Sequence, residues 1–447
     1  MMGQTEEEPD RSRDAIPNEI VLTDILVRLP TKDVVRLSCV SKQWHRIIGD
    51  PSFRKLHGAD HVATPSESEA LLVTENREPG RREEASVFNL SSGKAMCHVF
   101  IPTGYSLTNV CNGFLCFALN HGQAPAVVCN PVTGETLELP KAPPISGEDR
   151  ASLNHLFALG FSPTTREYKM FRLSFPSSCR RHDHQVHIAV HTLGDGTGAW
   201  RQYSYASRFC PVFTSPPVHI DGKLYVVTTD YQKRERTAQM LVLDVAAEAR
   251  RTCRLPYYYD DYHWNWSEMM ASGFDLNGEM CLAVHVFGRG TRRTLQFWVM
   301  KPPGELQDED DHEQLCWDLR YSFDLDESYY FDRPKGGWFE HAQMLCYRHG
   351  DTLYKHSTRG YSASTSPNVG LSFDQKLELP RAPSLSPNVS EDWSPLIRLQ
   401  ARRWNIHGGY RPSLLSPLIF AAPPPQDEKG EETRQFEHAL LSAIRQT

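Results

Sequence analysis

Four histidines close together in the sequence are the first feature of this 447-residue chain that could do chemistry. They fall in the segment 182–191, which also contains Asp183; the histidines are His182, His184, His187 and His191. Imidazole and carboxylate groups at alternate positions of a strand can converge on one metal ion. However, apolar residues alternate with His187 and His191, so both are predicted on the solvated face of a strand. We therefore expect no metal site.

An aromatic run is the second feature of this kind. Six of the ten residues in the segment 257–266 are aromatic, and they follow neither a helical nor a strand period. Tyr and Trp are enriched at protein-binding hot spots because they bury a large area and keep a polar group. We predict a loop that contacts a protein client, while packing of the same rings inside the body remains the alternative. The candidate client-binding residues are Tyr257, Tyr258, Tyr259, Tyr262, Trp264 and Trp266.

Motifs of common enzyme families are missing from the sequence. It contains no G-x-S-x-G, no P-loop and no H-E-x-x-H. The glycine-rich stretch 194–198 is predicted to be a hairpin loop, because no helix follows it to form a phosphate site. We expect a protein that is not an enzyme and that carries no cofactor.

Charge and hydropathy restrict the kinds of partner. Lys and Arg number 48 against 55 Asp and Glu, a net charge of −7, so no basic field would attract nucleic acid. No apolar run reaches the roughly 18 residues that a membrane-spanning helix needs. The acidic N-terminus is unlike a signal or transit peptide. We expect neither nucleic acid nor membrane as a partner, and a cytoplasmic or nuclear location.

The start of the chain is predicted to be helical. After a leader at 1–14 that we expect to be disordered, apolar residues with helical spacing predict three short helices. Thr31 is the predicted N-cap of the second helix, and Asp50-Pro51 ends the third. The apolar positions are Leu22, Ile25, Leu26 and Leu29, then Val34 and Leu37, and finally Val40, Trp44 and Ile47.

This helical segment is too small to bury a sufficient core alone, since units of about 40 residues usually need a partner. Either another protein covers its apolar side, or the helices dock on the rest of the chain. Seven basic residues against two acidic ones between Arg28 and Lys55 favour an acidic partner.

The same segment resembles an F-box. The stretches that carry the resemblance are Ile16-Pro17-Asn18-Glu19-Ile20, then 25–32, Val35-Arg36, 40–48 and Asp50-Pro51-Ser52-Phe53. Ile16 and Ser41 replace the Leu and Cys that are usual in the family. The resemblance implies a three-helix module that binds the Skp-type adaptor of cullin-based ubiquitin ligases. The implied adaptor-binding residues are Ile16, Pro17, Ile20, Ile25, Leu29, Pro30, Val40 and Trp44.

From about residue 66 the sequence alternates with period 2, which predicts strands with one buried face. Tight-turn pairs recur, and so do strands that end in Leu-Pro. The turn pairs are Asn112-Gly113, Asp221-Gly222, Asn277-Gly278 and, less perfectly, His349-Gly350-Asp351; the Leu-Pro ends are Leu139-Pro140, Leu255-Pro256 and Leu379-Pro380. Repeats of about 40 to 50 residues with four strands each are typical of propeller blades. We therefore predict an all-β propeller of about six to eight blades.

This second region resembles the F-box-associated propeller domain, a kelch-like family of flowering plants. The stretches that carry the resemblance are 110–116, 129–135, 160–169, 199–201, 221–225 and 297–299, and the likeness fades beyond Leu319. The predicted fold class is α+β multidomain, with a three-helix F-box at 15–58 and a propeller at 66–422. A Pro-rich linker and an amphipathic helix are predicted at 423–447.

The two resemblances together imply a substrate-recognition subunit of an SCF-type (Skp, cullin, F-box) ubiquitin ligase. In this interpretation the F-box binds the adaptor and through it a cullin, and the propeller recruits a protein client for ubiquitination. Two alternatives remain open. One is an interaction scaffold outside any ligase, and the other is a propeller lectin, because aromatic loops also stack on sugars.

Overall fold

The chain divides into two compact units in a computed structural model. The helical unit comprises residues 1–64, 414–416 and 426–447, and the β unit comprises 65–413 and 417–425. The structure describes residues 25–63, 70–75, 84–89, 94–101, 104–119, 124–145, 153–176, 184–207, 209–211, 216–229, 238–255, 271–276, 278–287, 293–301, 317–325, 337–340, 344–349, 352–357, 375–377, 403–407 and 410–421.

Three α-helices and one short 3-10 helix form the described part of the helical unit. They are the 3-10 helix Leu26–Arg28, α1 (Thr31–Leu37), α2 (Lys42–Gly49) and α3 (Pro51–Ala63). Leu26 and Val34 are completely buried, and Ile48 and Phe53 are nearly so. His57 on α3 is also buried, and its Nε2 lies 3.0 Å from the carbonyl oxygen of Leu29. The helices therefore pack around a small apolar core.

The ends of these helices differ from the predicted ones. Thr31 is the first residue of α1 and not its N-cap, which is Pro30. Val40 precedes α2, because the side chain of Ser41 caps that helix by accepting a hydrogen bond from the Trp44 amide at 3.2 Å.

A helix that the sequence analysis missed begins where the third predicted helix ends. Asp50 accepts hydrogen bonds from the amides of Ser52 and Phe53 at 2.8 and 3.3 Å, and Pro51 is the first residue of α3. Proline is favoured at the first helical position, where its missing N–H costs nothing. Asp50-Pro51 therefore marks the start of α3 as well as the end of α2.

The β unit is built from antiparallel sheets, six of them among the described residues. The strands are β1 (Ala70–Glu75), β2 (Glu84–Asn89), β3 (Lys94–Phe100), β4 (Ser106–Cys111), β5 (Phe114–Ala118), β6 (Val127–Asn130), β7 (Glu135–Glu138), β8 (Leu153–Ser162), β9 (Glu167–Pro176), β10 (His184–Thr192), β11 (Arg201–Ser207), β12 (Cys210–Pro211), β13 (Val218–Ile220), β14 (Lys223–Thr229), β15 (Ala238–Asp244), β16 (Arg250–Arg254), β17 (Ala271–Leu276), β18 (Glu279–Phe287), β19 (Arg293–Met300), β20 (Trp317–Leu325), β21 (Gly337–Glu340), β22 (Met344–His349), β23 (Thr352–Ser357), β24 (Gln375–Leu377) and β25 (Arg403–His407).

Each sheet is one propeller blade. Blade 1 has the strand order β25-β1-β2-β3, and blades 2 to 6 follow in the chain as β4–β7, β8–β11, β12–β16, β17–β20 and β21–β24. Around the ring, β4 contacts β8, β8 contacts β13, β13 contacts β17 and β17 contacts β21, while β21 of blade 6 contacts β25 of blade 1. A shared apolar core joins blades 1 and 2. Among the described residues the ring therefore has six blades, and β25 completes the first of them.

Tight turns connect the strands of a blade as predicted. Asn112 and Gly113 have φ values of 46° and 83°, and Asp221 and Gly222 have 42° and 71°. Both pairs therefore have the positive φ values that two-residue hairpins need. Gly350 and Asp351 of the less perfect copy lie outside the described residues; the flanking His349 and Thr352 pair across β22 and β23.

An extensive apolar core lies between blades 3 and 4. It includes Phe171, Ile188 and Leu241, which face one another across the two sheets and are at most 1% exposed. Burial of such side chains stabilises a fold by about 2 kcal/mol each. This apolar core holds together blades 3 and 4, which carry the polar groups discussed below.

Candidate partner-binding surfaces

Large apolar side chains are exposed on the helical unit. Ile25 is 41% exposed, Val35 is 37% exposed and Val40 is 67% exposed, although the core of the unit is fully buried. Apolar groups in water cost free energy, and several in one small unit are typical of a surface that binds another protein. The helical unit therefore offers a candidate protein-binding surface.

The residues predicted to bind the adaptor fall into two groups. Ile25, Pro30 and Val40 are exposed, while Leu29 and Trp44 are half-buried. Ile16, Pro17 and Ile20 lie outside the described residues. Their role in binding remains a prediction.

Val35 is an exposed residue that the predicted adaptor-binding set does not contain. It lies on α1 beside the buried Val34, and the two cannot face the same side of a helix. The sequence does contain a signal for Val35, because this residue is apolar but lies off the buried face of the helix.

Positive charge surrounds this surface. Arg28, Lys42, Arg46 and Lys55 are exposed. Arg36 pairs with Asp33 at 3.3 Å. An acidic partner would complement the remaining cations.

The candidate client-binding residues lie outside the described residues; they are Tyr257, Tyr258, Tyr259, Tyr262, Trp264 and Trp266. The strands on either side of them are described. Arg254 at the end of β16 pairs with Gln239, and Ala271 at the start of β17 pairs with Val284. Both strand ends lie far from the Asp221-Gly222 turn, at the opposite end of the β unit.

A segment near the C-terminus covers the end of the β unit that carries the tight turns. Asn130 of blade 2 donates a hydrogen bond from Nδ2 to the carbonyl oxygen of Ser413 at 2.8 Å. Arg411 lies 3.5 Å from the buried carboxylate of Asp275 in blade 5. Burial raises the pKa of Asp275 more than Arg411 and the Gly278 amide lower it. Contacts with blades 2 and 5 place this segment across the ring, which sequence reasoning did not find.

Side chains also link neighbouring blades near the centre of the ring. Asn109 of blade 2 donates to the carbonyl oxygen of Leu159 at 2.8 Å and accepts from its amide at 2.9 Å. His219 of blade 4 is placed in the same way, with Nε2 2.9 Å from the oxygen and 3.1 Å from the nitrogen of Phe161. Burial lowers the pKa of His219 to about 4, so the ring is neutral at neutral pH. These side chains hold neighbouring blades together.

The prediction that His191 lies on the solvated face is wrong. His191 is 4% exposed, its Nδ1 lies 3.0 Å from the carbonyl oxygen of Ala199, and its ring lies 5.3 Å from that of Trp200. The turn between β10 and β11 folds over the strand and covers it. His187 is half-buried.

Neither a metal cluster nor a membrane-spanning helix is present within the described ranges. No three His, Cys, Asp or Glu side chains there are grouped so that they could hold a metal ion. No helix there is long and apolar enough to cross a membrane.

The fold and this surface together define a class: a small helical unit with exposed apolar side chains, followed by a propeller whose described residues form six blades. Residues 61–308 match the family described as F-box associated beta propeller domain, and residues 15–56 match the F-box domain. The chain therefore belongs to the F-box-associated propeller family and carries an F-box at its N-terminal end.

Similar proteins of known sequence are F-box proteins of Arabidopsis thaliana. F-box protein At1g53790 is 28% identical over 246 residues, which are 51% of this chain and 50% of that protein. F-box protein At2g16450 is 27% identical over 280 residues, which are 53% and 60% of the two chains. The chain thus spans about half the length of the curated relatives it matches.

Solved structures with similarity include TolB from Acinetobacter baumannii and the Cps50 (Swd1) β-propeller domain from Myceliophteria thermophila. TolB has a TM-score of 0.36 at 12% identity, covering 66% of this chain and 62% of its own. The Cps50 domain has a TM-score of 0.29 at 14% identity, covering 63% and 89%.

Proposed function

We propose that this protein is the client-recognition subunit of an SCF-type ubiquitin ligase. The helical unit binds a Skp-type adaptor and through it a cullin, and the β unit holds a protein client. The exposure of Ile25, Val35 and Val40 on the F-box supports this proposal, because these side chains lose contact with water only when another protein covers them.

The proposed mechanism is proximity and needs no catalytic residue in this chain. Holding a client next to the activated ubiquitin raises the effective concentration of its lysines. The proposed location is the cytoplasm or the nucleus. Nucleic acid and membranes have no part in the proposal.

For the client, we propose contact with the aromatic segment 257–266. The strands that flank it end on the side of the ring away from the C-terminal segment 410–413. Removing the aromatic side chains should weaken client binding and leave adaptor binding unchanged.

Adaptor binding is tested directly with purified proteins. Val40→Asp places a charge in the proposed interface, and we expect it to weaken binding of a Skp-type adaptor at least about tenfold, or about 1.4 kcal/mol. Gln43→Asp is the matched control, since Gln43 is an exposed polar residue of α2. Isothermal titration calorimetry measures both variants.

Equal binding by Val40→Asp and wild type would contradict the proposed adaptor surface. Binding of the adaptor without cullin-dependent loss of any client in cells would favour the scaffold alternative.

A further inference from the structure

A groove of about 360 Å³ lies between blades 3 and 4 of the β unit. The outermost strand of blade 3, β11, forms one wall, and β16 of blade 4 forms the other. The floor includes Leu241, which is 1% exposed. Ala206, Arg250 and Thr252 on the walls are exposed, so the groove is open to solvent.

Arg250 gives this groove an uncompensated positive charge. Its guanidinium carbon lies 4.0 Å from the centroid of the Tyr205 ring, and no described carboxylate pairs with it. The nearby Glu248 is occupied, because it accepts hydrogen bonds from Lys169 and Arg201. None of the described residues that line the groove is acidic.

Two hydroxyl groups in the groove are also available to bind a ligand. The Tyr205 hydroxyl and the Thr252 hydroxyl make no hydrogen bond within the described residues. Burial raises the pKa of Tyr205 to about 12, so its hydroxyl keeps the proton and can donate. In contrast, Thr228 and Ser207 already donate to the carbonyl oxygens of Gln239 and Phe209.

We propose that this groove binds an extended segment of the client through an acidic side chain. The carboxylate pairs with Arg250 and accepts hydrogen bonds from Tyr205 and Thr252. The walls run along two strands, which suits an extended peptide. The identity of the occupant as a client rests on the proposed function.

The number of charges favours a carboxylate over a phosphoryl group. A phosphorylated side chain carries a charge of about −1.5 to −2 at neutral pH. One guanidinium neutralises a single carboxylate and leaves a phosphoryl group partly uncompensated. We therefore assign the site to Glu or Asp.

The test uses the full chain, immobilised, and three matched libraries of random decapeptides. The central residue is fixed as Glu, Gln or phosphoserine. We expect the wild type to retain the Glu library about 3- to 10-fold more than the Gln library, the range for a partly exposed ion pair. Arg250→Gln should abolish this preference, and Tyr205→Phe should reduce it.

Arg251→Gln is the matched control. Arg251 is exposed on the same strand, but alternation places it on the opposite face. This variant should keep the preference for Glu. Thermal unfolding should be the same for Arg250→Gln and Arg251→Gln, because both side chains are exposed.

Equal retention of the Glu and Gln libraries would overturn the proposal, and so would retention of the phosphoserine library alone. An equal loss of preference in Arg251→Gln would show a general charge effect and would also overturn it. Adaptor binding, measured on the same preparations, separates the two proposals. If the protein does not bind the adaptor but keeps its preference for Glu, the result counts against the ligase role. If it binds the adaptor but shows no preference for Glu, the result counts against the groove.

Discussion

At the scale of single residues, two glycines with similar backbone conformations have different surroundings. Gly113 has φ of 83° and Gly134 has φ of 71°, so a side chain would be strained at both. A Cβ at Gly113 would lie 2.6 Å from Cβ of Ser413 and 2.7 Å from the carbonyl oxygen of Arg411. A Cβ at Gly134 would meet nothing within 4 Å. Of these two glycines, Gly134 is needed only for its backbone conformation, whereas Gly113 is also needed because a side chain there would clash with its neighbours.

We expect Gly113→Ala to destabilise the β unit more than Gly134→Ala. Both variants have similar backbone strain, so this contribution cancels when their stabilities are compared. The clash of the new Cβ at position 113 should cost about 1–3 kcal/mol more. Denaturant unfolding of the two variants gives this difference. Equal midpoints would mean that the segment around Ser413 moves away without cost.

At the scale of elements, blades 3 and 4 are joined by charge as well as by their apolar core. Glu248 lies in the turn after β15 and reaches across to blade 3. There it accepts a hydrogen bond from the buried Lys169 at 2.9 Å and another from Arg201. Burial raises the pKa of Glu248, but the hydrogen bonds from Arg201 and Lys169 outweigh this effect and lower it overall.

Glu248→Gln should destabilise the β unit by about 2 kcal/mol, between the values for exposed and for fully buried ion pairs. The reason is that Lys169 then keeps a buried charge with only the more distant and more exposed carboxylate of Glu167, at 3.9 Å. Glu279→Gln is the control, because Glu279 pairs with Arg320 at the same 2.9 Å but both side chains are more than 40% exposed. We expect it to change stability by less than about 0.5 kcal/mol.

Chemical unfolding of both variants near pH 7 measures these effects. A Glu248→Gln variant no less stable than Glu279→Gln would show that the apolar core alone joins the two blades.

At the scale of the whole molecule, one strand from far along the chain completes the ring. β25 pairs with β1, so Trp404 is opposite Thr74 across more than 300 residues of sequence. Blade 6 contacts this strand in turn. Without it, β1 would expose an unpaired edge and blade 6 would lose its contact with β25.

We expect a chain that ends at residue 402 to lose more than about 4 kcal/mol of stability in the β unit, as in other cases where packing and pairing are removed together. A chain that ends at residue 421 keeps β25 and is the control. Thermal unfolding compares the two. Cooperative unfolding at the same temperature in both chains would contradict the role of β25 in ring closure.

Much of the fold was predictable because it depends on residues close together in the chain. Helical spacing predicted most of the F-box, and alternation with Asn-Gly and Asp-Gly turns predicted the strands and their hairpins. The new helix at Pro51 was missed because Asp-Pro both ends and begins helices. The F-box-associated propeller family was recognisable for the same reason, since its motifs are short and ordered along the chain.

The sequence by itself therefore determined the two units and the family, while the residues predicted to bind an adaptor stay a prediction. Only the tertiary structure decided that the described strands form six blades, that His191 is buried, and that Arg250 lies beside Tyr205 with no carboxylate partner among the described residues. The physical reason is the distance in sequence over which each interaction acts. Backbone preferences act over a few residues, whereas burial and charge pairing depend on groups as distant in sequence as Asn130 and Ser413, which meet only when the ring has closed.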